Sequence, residues 1–279
     1  MSASAPVAAI PFARRNASHG ALWLRRAFAM LSEHRARWLL LLLAYYVIIV
    51  SIDFVPIVGA FVAPLLKPVF AVGFLAAAWS QERGEPPSIG QLFRGFRSDL
   101  RALLPLGAVF VAGMTGAVVA TSFVDGGKLL EVLAGSARPD EAFAGRSDVQ
   151  LAMLFGALCA LPVVLALWFA PALVVFQDCG AGRALATSLR AAVANWRPIA
   201  VYGLLLFFYG GVLPGAVAAV IAALAPREVA SAILMLLLLP YLALLVATLH
   251  ISDYVSYRDV FHPDEVPPSR DATGSAAPS

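Results

Sequence analysis

A charged side chain in hydrocarbon costs several kcal/mol by some scales, so an ionisable residue inside an apolar run is where chemistry should be sought first. The 279-residue sequence offers few. Asp53 lies late in one apolar run and Lys67 early in the next, each seven residues from Ala60. If the chain folds back at Ala60, antiparallel helices put the two at similar depth. One expectation is an Asp53–Lys67 ion pair in the outer third of the bilayer. The other is that Lys67 snorkels outward and Asp53 meets water. His250 and Asp253 stand three residues apart and share a helix face. They would suit half a metal site or a proton relay. No further His or Cys stands at metal-ligand spacing from them, which favours an interfacial polar cap completed by Tyr254 and Tyr257.

The sequence carries no other recognisable chemical motif. The sequence has no HExxH zinc motif, no GxSxG nucleophile elbow and no GxGxxG after a strand. Gly126-Gly127-Lys128 lacks the upstream glycine of a P-loop. Cys159 and Cys179, in and just past one apolar run, make no disulfide framework and are expected to be inert. No catalytic residue, cofactor or metal is expected, and no enzyme activity.

The elements that must position these residues follow from composition. Hydrophobic types make up 61% of the chain and charged types 13%, with mean hydropathy +0.82. Soluble domains carry ~25% charged residues, so this chain lacks the polar surface that water requires. Disorder, collagen and nucleic-acid binding are excluded for the chain as a whole. Arg14-Arg15 precedes no apolar run until Trp38, so it is a weak export signal and the first run is read as an uncleaved anchor.

A span needs ~20 mainly apolar residues. Six runs qualify: Trp38–Val58, Ala60–Ser80, Ala102–Val124, Leu151–Phe176, Pro198–Leu224 and Val229–Ile251. Pro56 and Gly59 break the first two apart. Fifteen of the 20 Lys and Arg fall on the side that holds both termini, which places those termini in the cytoplasm. The outer loop Asp125–Gln150 is acidic.

Residues 22–35 pattern as an amphipathic helix, with Trp23, Leu24, Ala27, Phe28, Met30 and Leu31 opposite Arg25, Arg26, Ser32 and Glu33. Such a helix suits the headgroup plane as a lipid sensor or partner helix, or as a lead-in that fixes the first span. Similar lead-ins precede the third and fifth spans. Gln81 and Gln177, Gly84 and Gly180, Arg101 and Arg197, and Gly107 and Gly203 recur at one spacing, suggesting three units of interfacial helix plus two spans. The expected fold is therefore all-α: a polytopic bundle of six transmembrane helices, with amphipathic interfacial helices before spans 1, 3 and 5. Residues 20–261 form it, between a disordered cytoplasmic N-terminus (1–19) and a disordered tail (262–279).

Small residues four apart let helices approach closely. Gly211, Gly215 and Ala219 make such a stripe on the fifth span, and Gly113 and Ala117 on the third. They suit a dimer face or packing within the bundle. Pro64, Pro68, Pro162, Pro171, Pro214 and Pro240 are expected to kink their helices.

Several segments resemble an uncharacterised family of six-span bacterial inner-membrane proteins. They are Phe54-Val55-Pro56-Ile57-Val58-Gly59, Pro68-xxx-Val72-Gly73-Phe74, Gly95-Phe96-Arg97, Trp168-Phe169-Ala170-Pro171, Asn195-Trp196-Arg197 and Tyr254-xx-Tyr257-Arg258-Asp259-Val260-Phe261. The resemblance implies the bacterial inner membrane and brings no established activity, substrate or cofactor. Lys67 falls where similar sequences would carry an apolar residue. The functional expectation is a non-catalytic structural or accessory membrane component. The alternative is a small-solute or ion carrier or channel using the kinked helices with Asp53 and Lys67. Lipid is the expected surrounding partner, with a second copy or another membrane protein left open and nucleic acid excluded.

Overall fold

The computed structural model describes residues 10–55, 58–140 and 143–262. The disorder expected at 1–9 and 263–279 falls outside the described residues, as does Pro56. Among the described residues, six helical segments are long and apolar enough to cross a membrane: Arg35–Asp53, Phe61–Glu82, Leu100–Asp125, Ser147–Phe176, Trp196–Leu224 and Glu228–Phe261. Among the described residues there is no strand. The chain is an all-helical, multi-pass membrane protein.

Its helices in order are α1 (Ser18–Glu33), α2 (Arg35–Asp53), α3 (Val58–Glu82), a 3₁₀ segment (Ile89–Arg97), α4 (Leu100–Ala120), α5 (Ser122–Asp125) and α6 (Lys128–Leu133). After a second 3₁₀ turn (Phe143–Gly145) come α7 (Ser147–Trp168), α8 (Ala170–Phe176), α9 (Ala181–Ala194) and α10 (Trp196–Phe207). A π turn (Phe208–Val212) leads into α11 (Leu213–Leu224), and α12 (Arg227–Phe261) completes the order. The lead-ins expected before the odd spans are α1, the first 3₁₀ segment and α9.

Two span ends differ most from the sequence reading. The first span ends at Asp53 rather than Val58. The last helix runs on from Ile251 to Phe261. Asp253, Arg258 and Asp259 lower the hydropathy there, but Ile251, Tyr254, Val255, Tyr257, Val260 and Phe261 are all buried. That stripe at helical spacing gives the helix a reason to continue.

Two compact units interleave along the chain. The first comprises residues 1–47, 71–94 and 191–279. In it α1 lies on α10 and α12, burying Trp23, Ala27 and Leu31. Gly20 makes the approach to α10 possible. A Cβ there would stand 2.2 Å from the Pro198 carbonyl oxygen and 2.8 Å from the Tyr202 nitrogen.

The π turn in this unit has a local cause. In an α-helix the Pro214 ring would collide with the carbonyl four residues back, and Pro214 brings no N–H. The helix widens instead, and the Leu213 N–H donates to the Phe208 carbonyl. The next donor in that register would be Pro214, which has no N–H to give the Tyr209 carbonyl. The Tyr241 hydroxyl on α12 donates to it at 2.7 Å. Tyr241→Phe should therefore cost about 0.6 kcal/mol and at most ~1.7, the range of interhelical hydrogen bonds in membranes. Reversible unfolding in mixed micelles reads this, and a Tyr241→Phe variant as stable as wild type would refute the assignment.

The second unit comprises residues 48–70 and 95–190. Asp99 starts α4 by accepting the backbone N–H groups of Arg101 and Ala102, at 3.0 and 3.3 Å. Gly95 lets the 3₁₀ segment rest on α3, since a Cβ there would fall 1.9 Å from the Val69 carbonyl oxygen. The small residues of the third span pack internally: Gly113 faces Val163 of α7, and Ala117 is buried. The fourth span breaks between α7 and α8, beside Pro171. Ser188 of α9 seals the break, accepting the Phe169 N–H at 2.9 Å and donating to the Leu165 carbonyl at 3.1 Å.

Candidate functional site

The densest polar cluster joins the N-terminal segment to the last helix. The Asp259 carboxylate is 8% exposed. Trp23 Nε1–H donates to it at 2.8 Å, and His19 Nδ1 lies 2.7 Å from the same oxygen. The Arg15 guanidinium stands 3.3 Å from the other oxygen. Arg15 also donates from Nε and Nη2 to the Asp259 backbone carbonyl, at 2.9 and 2.6 Å. One residue thus collects donors from three positions, and charged hydrogen bonds of this kind are about twice as strong as neutral ones.

Asn195, buried at the start of α10, extends the cluster. Its Oδ1 accepts the Arg15 backbone N–H at 2.7 Å. Its Nδ2 donates to the carbonyls of Ala13 and Ala191, at 3.0 and 2.9 Å. The Ala13 N–H donates to the Val260 carbonyl at 2.7 Å. Residues 10–19, expected to be disordered, are strapped onto α10 and α12 instead. Composition missed this because Arg14-Arg15 reads as an unattached basic pair. The available signal was indirect: Asn195 and Asp259 lie in segments that carry the family resemblance.

A second cluster gathers where α1, α2, α3 and α12 meet. Trp38 Nε1–H donates to Gln81 Oε1 at 2.7 Å. Gln81 Nε2 donates to the Met30 carbonyl at 2.7 Å and to Glu33 Oε2 at 3.1 Å. Beside it, Glu82 accepts the Tyr254 hydroxyl and faces Arg258 Nε at 3.5 Å. Tyr254 and Tyr257 are 1% exposed, so they pack inward rather than lining a headgroup-level cap. His250 stacks on Phe74, ring centroids 3.9 Å apart and nearly parallel, with the Tyr45 ring edge-on. Asp253 is half-buried.

The structure does not bring Asp53 and Lys67 together. Asp53 is the last residue of α2, beside the tight turn where a Gly59 Cβ would meet the Asp53 Cα at 2.7 Å. Lys67 lies two and a half turns into α3, which begins at Val58. At 1.5 Å per residue that is about 13 Å farther along. The Lys67 ammonium sits 4.7 Å from the centre of the Phe110 ring. Among the described residues no ion pair joins it to Asp53. Gly211, Gly215 and Ala219 are exposed in the single chain, and a Cβ on Gly215 would meet nothing within 4 Å. Among the described residues no three His, Cys, Asp or Glu gather in a metal-sized group. The buried Cys179 thiol donates to the Leu173 carbonyl at 3.2 Å, and burial pushes its pKa up.

The arrangement of Asp259, Asn195, Gln81 and Glu82 does one thing well. Each acid or amide receives donors from segments distant in sequence, so the clusters tie those segments to the helix ends.

The chain is 29% identical over 254 residues to a "probable inner membrane protein" of Burkholderia thailandensis, an alignment covering 88% of this chain and 92% of that protein. No family model matches the sequence. No solved structure matches it either.

Proposed function

We propose that the chain is a multi-pass component of a bacterial inner membrane, with both termini cytoplasmic, serving as a structural or accessory element. The observation that carries this reading is the Asp259 cluster, whose acceptors are spent on tying α1 and the N-terminal segment to α10 and α12. The concentration of arginine on one side supports the orientation. Similarity to a protein described as residing in the inner membrane supports the location.

The test uses the full chain with Cys159 and Cys179 replaced by alanine and single cysteines introduced. In intact cells, a membrane-impermeant maleimide should label Ala137→Cys and spare Ser4→Cys and Ser275→Cys until the cells are opened. The reverse pattern would overturn the orientation. Cysteines placed along α3 should stay dry. Labelling of one continuous α3 face would favour the carrier reading instead.

A further inference from the structure

Between α1 and the fifth and sixth spans lies a cavity of about 650 Å³, within the ~300–1,000 Å³ typical of ligand sites. Its walls include Arg25 and Phe28 of α1, Leu205 of α10, Tyr209 of the π turn, and Tyr241 and Thr248 of α12. Most of the wall is hydrocarbon or aromatic ring. Phe28 is 53% exposed on it, although α1 buries Trp23 and Leu31 against the protein. Apolar cavities do not hold water well. The walls on α10, the π turn and α12 belong to spanning segments, so acyl chains are the surrounding solvent.

The cavity follows α12 from Thr248 back to Tyr241. At 1.5 Å per residue this is about 10 Å, most of the ~15 Å depth of one leaflet. At the α1 wall the charge is positive. Arg25 is exposed and makes no ion pair among the described residues. Arg26 follows it, and Glu33 is the sole acid on α1. Basic pockets between spans on the cytoplasmic side suit anionic headgroups.

We infer that this cavity is a specific site for one anionic glycerophospholipid, with an acyl chain against Phe28, Leu205 and Tyr241 and the phosphate on the Arg25 guanidinium. The widened π turn contributes by setting Tyr209 against Tyr241, which fixes the far wall. The site is independent of the proposed structural role, since its walls do not include Asp259, Asn195, Gln81 or Glu82.

Full-length protein reconstituted in vesicles of phosphatidylcholine and phosphatidylglycerol in equal amounts, then released for native mass spectrometry, tests this directly. Retained lipid should favour phosphatidylglycerol about tenfold, the worth of one charged hydrogen bond. Arg25→Gln should abolish that preference, and Arg26→Gln should keep it. Ala21→Trp and Leu244→Trp fill the cavity from opposite walls, and each folded variant should lose the retained lipid. Two variants are used so that misfolding of one leaves the other decisive. Equal retention of both lipids by the wild type, a preference that survives Arg25→Gln, retention that survives the tryptophan fillers, or a retained mass equal to a second chain would each overturn the inference.

Discussion

Asp259→Ala should lower the free energy of unfolding by about 3–5 kcal/mol, the cost of breaking a buried charge pair from one side. The substitution strands donors on Trp23, His19 and Arg15 that now converge on one carboxylate with 8% exposure. It also weakens the hold on the N-terminal segment, which loses the bonds to the Asp259 side chain and keeps those of Arg15 to its backbone carbonyl. Asp259→Asn should cost less, because an amide oxygen still accepts from Trp23 while the charge facing Arg15 is gone. Unfolding in mixed micelles, followed by protease cleavage near residue 15, gives both readouts. An Asp259→Ala protein as stable as wild type, with an uncleaved N-terminal segment, would show that the cluster contributes nothing.

Gly20→Ala is the second large effect. The new Cβ would meet two backbone atoms of α10, at 2.2 and 2.8 Å, and neither is the tip of a flexible side chain. The helices must part, and the Trp23–Tyr202 ring contact at 6.3 Å parts with them. Overpacking costs about 1–3 kcal/mol, occasionally more. Gly116→Ala is the natural contrast, because a Cβ there meets nothing within 4 Å. In a helix interior that replacement should stabilise by up to ~1 kcal/mol. Equal melting behaviour of the two variants would contradict the close approach of α1 to α10.

The six spans were legible because each exceeds the bilayer's length requirement in apolar residues, a property of local composition. The ends of the spans were not. Hydropathy falls at Asp253, Arg258 and Asp259, yet α12 continues through them because its other face is buried. The Asp53–Lys67 expectation counted from Ala60, whereas α2 stops at Asp53 and α3 starts at Val58. A few residues' displacement of a turn becomes about 13 Å of depth along a helix. Helical lead-ins were visible as amphipathic patterns, but the 3₁₀ form of the second and the contact of its Gly95 with Val69 were not. The π turn could have been suspected from Pro214 alone, and Tyr241 as the rescuer of the Tyr209 carbonyl could not. The ties on Asp259 and Gln81 join residues more than 40 positions apart, beyond any periodicity of the sequence.

The clasp between the N-terminal segment and the last helix is the most specific feature of the fold. It is tested most directly by a cysteine pair, Phe12→Cys with Phe261→Cys, in full-length protein lacking Cys159 and Cys179 and kept in native membranes. The two rings lie 6.2 Å apart between centroids, next to the Ala13 N–H bond to the Val260 carbonyl, so a short bifunctional maleimide should link the pair within one chain, detected as a joined peptide by mass spectrometry. Phe12→Cys paired with Leu239→Cys, on the far part of α12, should not link. Absence of the first link while both thiols react singly with maleimide, or equal linking of the two pairs, would contradict the clasp.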